Sequence, residues 1–151
     1  MILITRFTHR RNEDRKALWD GLEDGTVDLI VSNHQPQNIE EKELEFDRAA
    51  FGNITLQTLF SSLNGFNKEK VQLIIDKLSL DSRLFLEMKD SSINVGNAAD
   101  ITLFDSNLEW VLEEQDIRSK SKNTPFLNKD LTGKPLGLIK NQSVYFNKKE
   151  F

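Results

Sequence analysis

The chain contains no cysteine, so it has no disulfides, no thiolate nucleophile and no thiolate zinc site. Histidine is nearly as scarce, with only His9 and His34 in 151 residues. A self-contained two-metal hydrolase gathers several histidines and carboxylates, and two histidines do not furnish a complete binuclear centre. Long apolar runs are missing too: Met1-Ile2-Leu3-Ile4 is far too short for a signal-peptide core or a membrane span. Nor is there an excess of positive charge. The net charge is -4 and the pI about 5.3, which argues against nucleic acid or an anionic membrane as the main partner. No internal repeat or low-complexity linker interrupts the chain. What remains is about one domain's worth of ordinary composition, long enough for a core of its own, and a cytoplasmic location is expected.

The most informative residues that are present follow a β-branched run. Thr26-Val27-Asp28-Leu29-Ile30-Val31 reads as a buried strand, and Ser32-Asn33-His34-Gln35-Pro36-Gln37 follows it directly. An α/β barrel keeps its working groups where such strands end. An Asp followed by a His there could bind a metal or move a proton. This chain has Asn33, and a neutral amide is a poor general base and a weak ligand for a divalent cation.

Periodicity sets the rest of the plan. Asn12 is read as a helix cap with Glu13 and Asp14 in the first turn, the helix running to about Asp24, burying Leu18 and Leu22 and stopping at Gly25. The strand Val27–Ser32 follows at once, which is α/β grammar. The charged run from Glu40 to Arg48 reads as a solvated loop or short helix. Leu56, Leu59, Phe60 and Leu63 define one helix closed by Asn64-Gly65; Val71, Ile74, Ile75 and Leu78 define another over about Lys68 to Lys77. After about Ser92 the period changes. Ala99 to Asp105 and Glu109 to Leu112 read as two strands, and Leu136–Ile139 with Ser143–Phe146 as a hairpin around Lys140-Asn141-Gln142. Trp110, Phe104 and Phe126 are expected in the core of this β module. The division is therefore residues 1–90 and residues 91–151.

Several stretches together resemble one family. Asn33-His34-Gln35-Pro36-Gln37, Glu40-Glu41-Lys42 and Ala49-Ala50-Phe51-Gly52 resemble the last barrel strand and loop of dihydroorotase, of the amidohydrolase superfamily. Gly96 to Asp105 resembles the opening of its C-terminal β domain. Ser119-Lys120-Ser121-Lys122-Asn123-Thr124-Pro125-Phe126 with Leu131-Thr132-Gly133 resembles its tail and is the most specific match. The resemblance runs from about Arg11 to the C-terminus. It implies an α/β fold: the last strand and helices of an amidohydrolase-type TIM barrel, here a truncated segment over residues 1–90, followed by a small C-terminal β module with its tail.

The resemblance also implies what is altered. The family's strand-end motif reads Asp-His-Ala-Pro-His; its Asp binds zinc and shuttles a proton as hydroxide attacks the cyclic amide of dihydroorotate, and its second His helps hold the substrate. Asn33 stands at the Asp position and Gln37 at the second His, while His34 and Pro36 match. Ala50 replaces the proline of an Ala-Pro-Phe-Gly loop, and Asp81-Ser82-Arg83 stands where Asn-Pro-Ala-Arg is usual. No intact catalytic residue and no metal site are expected. His34, Gln37, Ala50, Phe51 and Gly52 are substrate-site remnants, with His34 orienting a loop and Asn33 shaping a turn. Lys120 and Lys122 are read as structural, and His9 as structural or disordered. The family's other ligands (a His-x-His pair, a carboxylated lysine and further histidines) are not found, which suggests a shortened chain. No cofactor is therefore expected, although the family uses zinc. Apolar faces left without neighbours predict self-association or docking onto another chain, with aspartate transcarbamoylase as one such partner. The role expected is a non-catalytic scaffold or fragment in pyrimidine biosynthesis. The alternative is a portion of a genuine zinc-dependent dihydroorotase.

Overall fold

The computed structural model describes residues 2–4, 11–88 and 92–147, so His9 lies outside the described residues. Strand β1 (Ile2–Ile4), helix α1 (Asn12–Glu23) and strand β2 (Leu29–Val31) open the chain. The two strands are parallel, with Ile2 opposite Leu29 and Ile4 opposite Val31. Parallel neighbours need a crossover, and α1 lies between them in sequence to supply it. The N-terminal stretch, which has no counterpart among the family motifs, thus contributes a strand. The second strand is shorter than the β-branched run suggests. Val27 N–H donates to the Gly21 carbonyl at 2.8 Å, so the residues before Leu29 close the helix–strand turn instead of joining the ladder.

Helix α1 is capped at Arg11, not Asn12, and Arg11 N–H donates to Asp14 Oδ2 at 3.2 Å. It buries Trp19 and Leu22, with Leu18 half-buried beside them. Short helix α2 (Ile39–Lys42) falls in the charged run. A 3-10 turn, Leu56–Thr58, leads into α3 (Leu59–Phe66), and α4 (Val71–Leu78) is followed after Ser79 by α5 (Leu80–Phe85). Trp19, Leu22, Val27, Ile30, Leu63 and Ile74 form one core, each fully buried aliphatic side chain stabilising by roughly 1.5–3 kcal/mol. Asn64-Gly65 does not end α3. Both lie inside it, because the Asn64 side chain is engaged elsewhere.

The C-terminal part is a three-stranded antiparallel sheet in the order β3-β4-β5, made of β3 (Asp100–Val111), β4 (Asp130–Lys140) and β5 (Ser143–Phe146). Two separate strands were expected over residues 99–112; they are one strand whose register shifts between Asp105 and Glu109. The Asp105 carboxylate accepts from Asn107 N–H at 2.8 Å and stabilises that irregular step. The expected hairpin forms with a tighter turn: Lys140 joins the ladder opposite Ser143, leaving the two residues Asn141-Gln142, and Asn141 takes the left-handed φ of 54°. Ile54, Leu112, Ile117 and Leu131 make the second core, with Trp110 and Phe126 packed on it. Phe104 departs from expectation. It leaves that core and meets Phe60 of α3 edge-on, ring centroids 5.0 Å apart. Among the described residues no helix is long and apolar enough to cross a membrane.

Candidate functional site

The polypeptide leaves β2 at Val31 and turns sharply. Asn33 has φ 49°, a left-handed conformation that Asn tolerates better than most residues. Its amide oxygen accepts from Gln35 Nε2 at 3.1 Å. The next side chain turns back: His34 Nδ1 accepts from Thr55 N–H at 3.1 Å and Leu56 N–H at 3.2 Å. Those amides open the 3-10 turn, where unpaired N–H groups need an acceptor. Thr55 Oγ1 completes the tie by donating to the Ser32 carbonyl at 2.7 Å.

Loop 49–53 is held against this segment by its carbonyls. Gln37 Nε2 donates to Phe51 O at 3.0 Å. Lys42 Nζ donates to Ala50 O at 2.8 Å and Gly52 O at 3.2 Å. Asn123 Nδ2 reaches Gly52 O at 2.9 Å from the tail, and its own carbonyl accepts from Ile54 N–H at 2.9 Å. Gly52 is required here. Its φ is 128°, and a Cβ would sit 2.7 Å from the Gln35 carbonyl. Ala50 also has a reason not to be Pro, since its N–H donates to Glu41 O at 2.9 Å, which a proline could not do.

All six sequence-identified residues, Asn33, His34, Gln37, Ala50, Phe51 and Gly52, are thus brought into one cluster. Phe51 exposes its ring, 81% accessible, while its carbonyl stays pinned. Three contributors escaped the sequence reading of the site: Lys42, Thr55 and Asn123. Lys42 lies in the matched Glu40-Glu41-Lys42 stretch, but its run of charges reads as solvated, and Thr55 carries no motif. Asn123 lay within the matched tail, so that match was the available signal. The Lys120/Lys122 pair resolves in favour of structure at Lys122, whose Nζ donates to Ile117 O at 2.9 Å. An open cleft of about 940 Å³ lies between Pro36–Glu43 and Ser119–Asn123.

A zinc ion does not fit these donors. With Nδ1 accepting two N–H bonds, neutral His34 carries its proton on Nε2 and offers no lone pair from either nitrogen. The Asn33 oxygen is a weak neutral ligand already bonded to Gln35. Among the described residues no three His, Cys, Asp or Glu side chains are grouped to hold a metal.

No protein-family model matches the chain. Individual proteins do. A dihydroorotase of Chlorobaculum tepidum is 36% identical over 136 residues, 87% of this chain and 31% of that protein. One of Thermoanaerobacter sp. is 38% identical over 128 residues, 82% of this chain and 30% of that protein. Over most of its length the chain is a dihydroorotase homologue. It spans about a third of the curated dihydroorotases it matches. Among solved structures, the D-hydantoinase (dihydropyrimidinase) of Thermus sp. superposes with a TM-score of 0.75 at 21% identity, over 94% of this chain and 33% of that one. The L-hydantoinase of Arthrobacter aurescens gives a TM-score of 0.74 at 23% identity, over 89% of this chain and 32% of that one. Those likenesses carry the fold: the C-terminal region of an amidohydrolase TIM barrel with a small antiparallel sheet. Against its dihydroorotase relatives, the strand-end cluster of this chain is the place where function has to be decided.

Proposed function

We propose that the chain is a non-hydrolytic, dihydroorotase-like component of pyrimidine biosynthesis, working in the cytoplasm as a scaffold that docks onto another chain. The observation that carries this reading is the double acceptance at His34 Nδ1, from Thr55 and Leu56. It commits the one described histidine of the strand-end motif to holding a loop. Asn33 and Gln37 are committed in the same way, to Gln35 and to Phe51 O. General acid–base chemistry supplies about 10²–10⁴-fold in rate, and a site without its carboxylate and without ligands for an activating metal forfeits that and more. Docking follows from surface: Leu84, Phe85, Leu86 and Met88 lie exposed in and just after α5, with Ile93 and Val95 further along the chain, and exposed apolar side chains so concentrated favour a partner. A second copy and aspartate transcarbamoylase are the two partners to try.

A second reading is favoured by the 32–38% identity to proteins named dihydroorotase: the chain is one portion of a working zinc enzyme. One experiment tests the scaffold reading. The purified chain, alone and mixed with aspartate transcarbamoylase, is supplied with zinc and dihydroorotate while ring opening is followed and mass is measured by light scattering. The scaffold reading expects no turnover and a species heavier than the monomer. Zinc-dependent ring opening by the chain or its complex overturns it.

A further inference from the structure

Helix α3 is bolted to the β module by a polar latch. Ser61 Oγ and Trp110 Nε1 both donate to the Gly133 carbonyl, the latter at 3.0 Å. Asn64 Nδ2 donates to Ser106 O at 2.7 Å and Thr132 O at 3.0 Å. Asn64 is fully buried, and its Oδ1 has no hydrogen-bond partner among the described residues. The fit is tight: a Cβ on Gly133, whose φ is 89°, would lie 2.8 Å from Asn64 Nδ2 and from the Phe60 ring. Ser106, at the register shift of β3, turns its carbonyl to this amide.

Asn64 also heads the single Asn-Gly dipeptide of the chain. That dipeptide is chemically labile wherever the backbone is free. The Gly65 amide nitrogen attacks Asn64 Cγ and forms a C–N bond. The Cγ–Nδ2 bond breaks, and Nδ2 leaves as ammonia with the proton from Gly65. Water then opens the cyclic imide at either C–N bond, giving aspartate or isoaspartate. Inside α3 the helical backbone keeps the Gly65 nitrogen away from Cγ, and the latch holds Nδ2 between two carbonyls.

We propose that Asn64 is a deamidation site gated by this latch: protected while α3 is docked on the β module, hydrolysed when the two separate, and unable to redock afterwards. The irreversibility is electrostatic. In aspartate, one oxygen replaces Nδ2 and faces the Ser106 and Thr132 carbonyl oxygens; the other inherits a position without a donor. A buried carboxylate with no donor on either oxygen is not tolerated. Isoaspartate also inserts an extra backbone atom into the helix.

The test ages the purified chain at mildly alkaline pH, folded and in concentrated urea. Mass spectrometry of the peptide containing Asn64 follows the amide-to-acid exchange, and circular dichroism follows refolding after dilution. Conversion in the folded chain is expected to be slower than in urea by at least about tenfold, the factor set by a modest local opening equilibrium. Chain aged in urea should lose the ability to refold in proportion to conversion. Gly65→Ala supplies the control: a Cβ there meets nothing within 4 Å, and the added methyl slows imide closure. After the same ageing this variant should refold as well as fresh protein. Equal conversion rates folded and unfolded, full refolding of the converted chain, or equal loss in Gly65→Ala would each overturn the proposal.

Discussion

Replacing His34 by Ala tests the reading of the strand-end cluster most directly. The imidazole accepts two backbone bonds, from Thr55 at 3.1 Å and Leu56 at 3.2 Å. The two losses are unequal. Thr55 is 9% exposed, whereas Leu56 is 64% exposed. Leaving a buried donor unsatisfied costs about 1–3 kcal/mol, while a donor that water can reach loses about 0.5–1 kcal/mol. His34→Ala should therefore destabilise the fold by about 2–3 kcal/mol. In a urea titration with an ordinary slope, the midpoint falls by roughly 1–2 M. His34→Asn offers an amide oxygen near the place of Nδ1 and should recover most of the loss, ending within about 1 kcal/mol of the parent. If His34→Ala melts with the parent, the two N–H bonds do not anchor the 3-10 turn. If His34→Asn is as damaged as His34→Ala, ring packing and not acceptance is what counts.

Gly52→Ala should cost at least about 2 kcal/mol, because a Cβ would meet the Gln35 carbonyl at 2.7 Å on a backbone of φ 128°; a thermal melt equal to the parent's refutes this. Ala50→Pro, which restores the residue usual in the family, removes the donor to Glu41 O at 2.9 Å and should lower stability by about 1 kcal/mol, read in the same melts. Asn33→Asp should not create a zinc site, since His34 Nδ1 stays occupied by Thr55 and Leu56. Metal analysis after dialysis is expected to find far less than one zinc per chain, and stoichiometric zinc would sink the structural account of His34.

Local signals in the sequence were dependable where local physics decides. The i, i+3, i+4, i+7 spacing places α3 and α4, the acidic first turn and Gly25 bracket α1, and Asn141 marks a hairpin turn that has φ 54°. His34 was legible as a residue that orients a loop. What escaped is set by distant partners. β3 reads as two strands because its register shift looks like a break; only the Ser106–Asn64 bond, joining residues 42 apart in sequence, explains why the strand carries through. Asn64 reads as a helix stop for the same reason, its amide being satisfied by a segment far along the chain. Phe104 reads as part of the β-module core because nothing local announces Phe60. Lys42 falls in a matched stretch, but its role is masked by its charged neighbours: its ammonium clamps two carbonyls while Glu40, Glu41 and Glu43 around it are exposed.

The distances of the latch along the chain set an order of events during synthesis. Ser61 waits for Gly133, 72 residues downstream, and Asn64 for Thr132, 68 downstream. Ribosomes add about 5–20 residues per second, so α3 emerges roughly 4–14 s before the carbonyls that receive it. The hairpin of β4 and β5, closed by two residues, pairs within microseconds once exposed. The helix is made early and seated late, and the slow step of assembly on the ribosome is the arrival of β4.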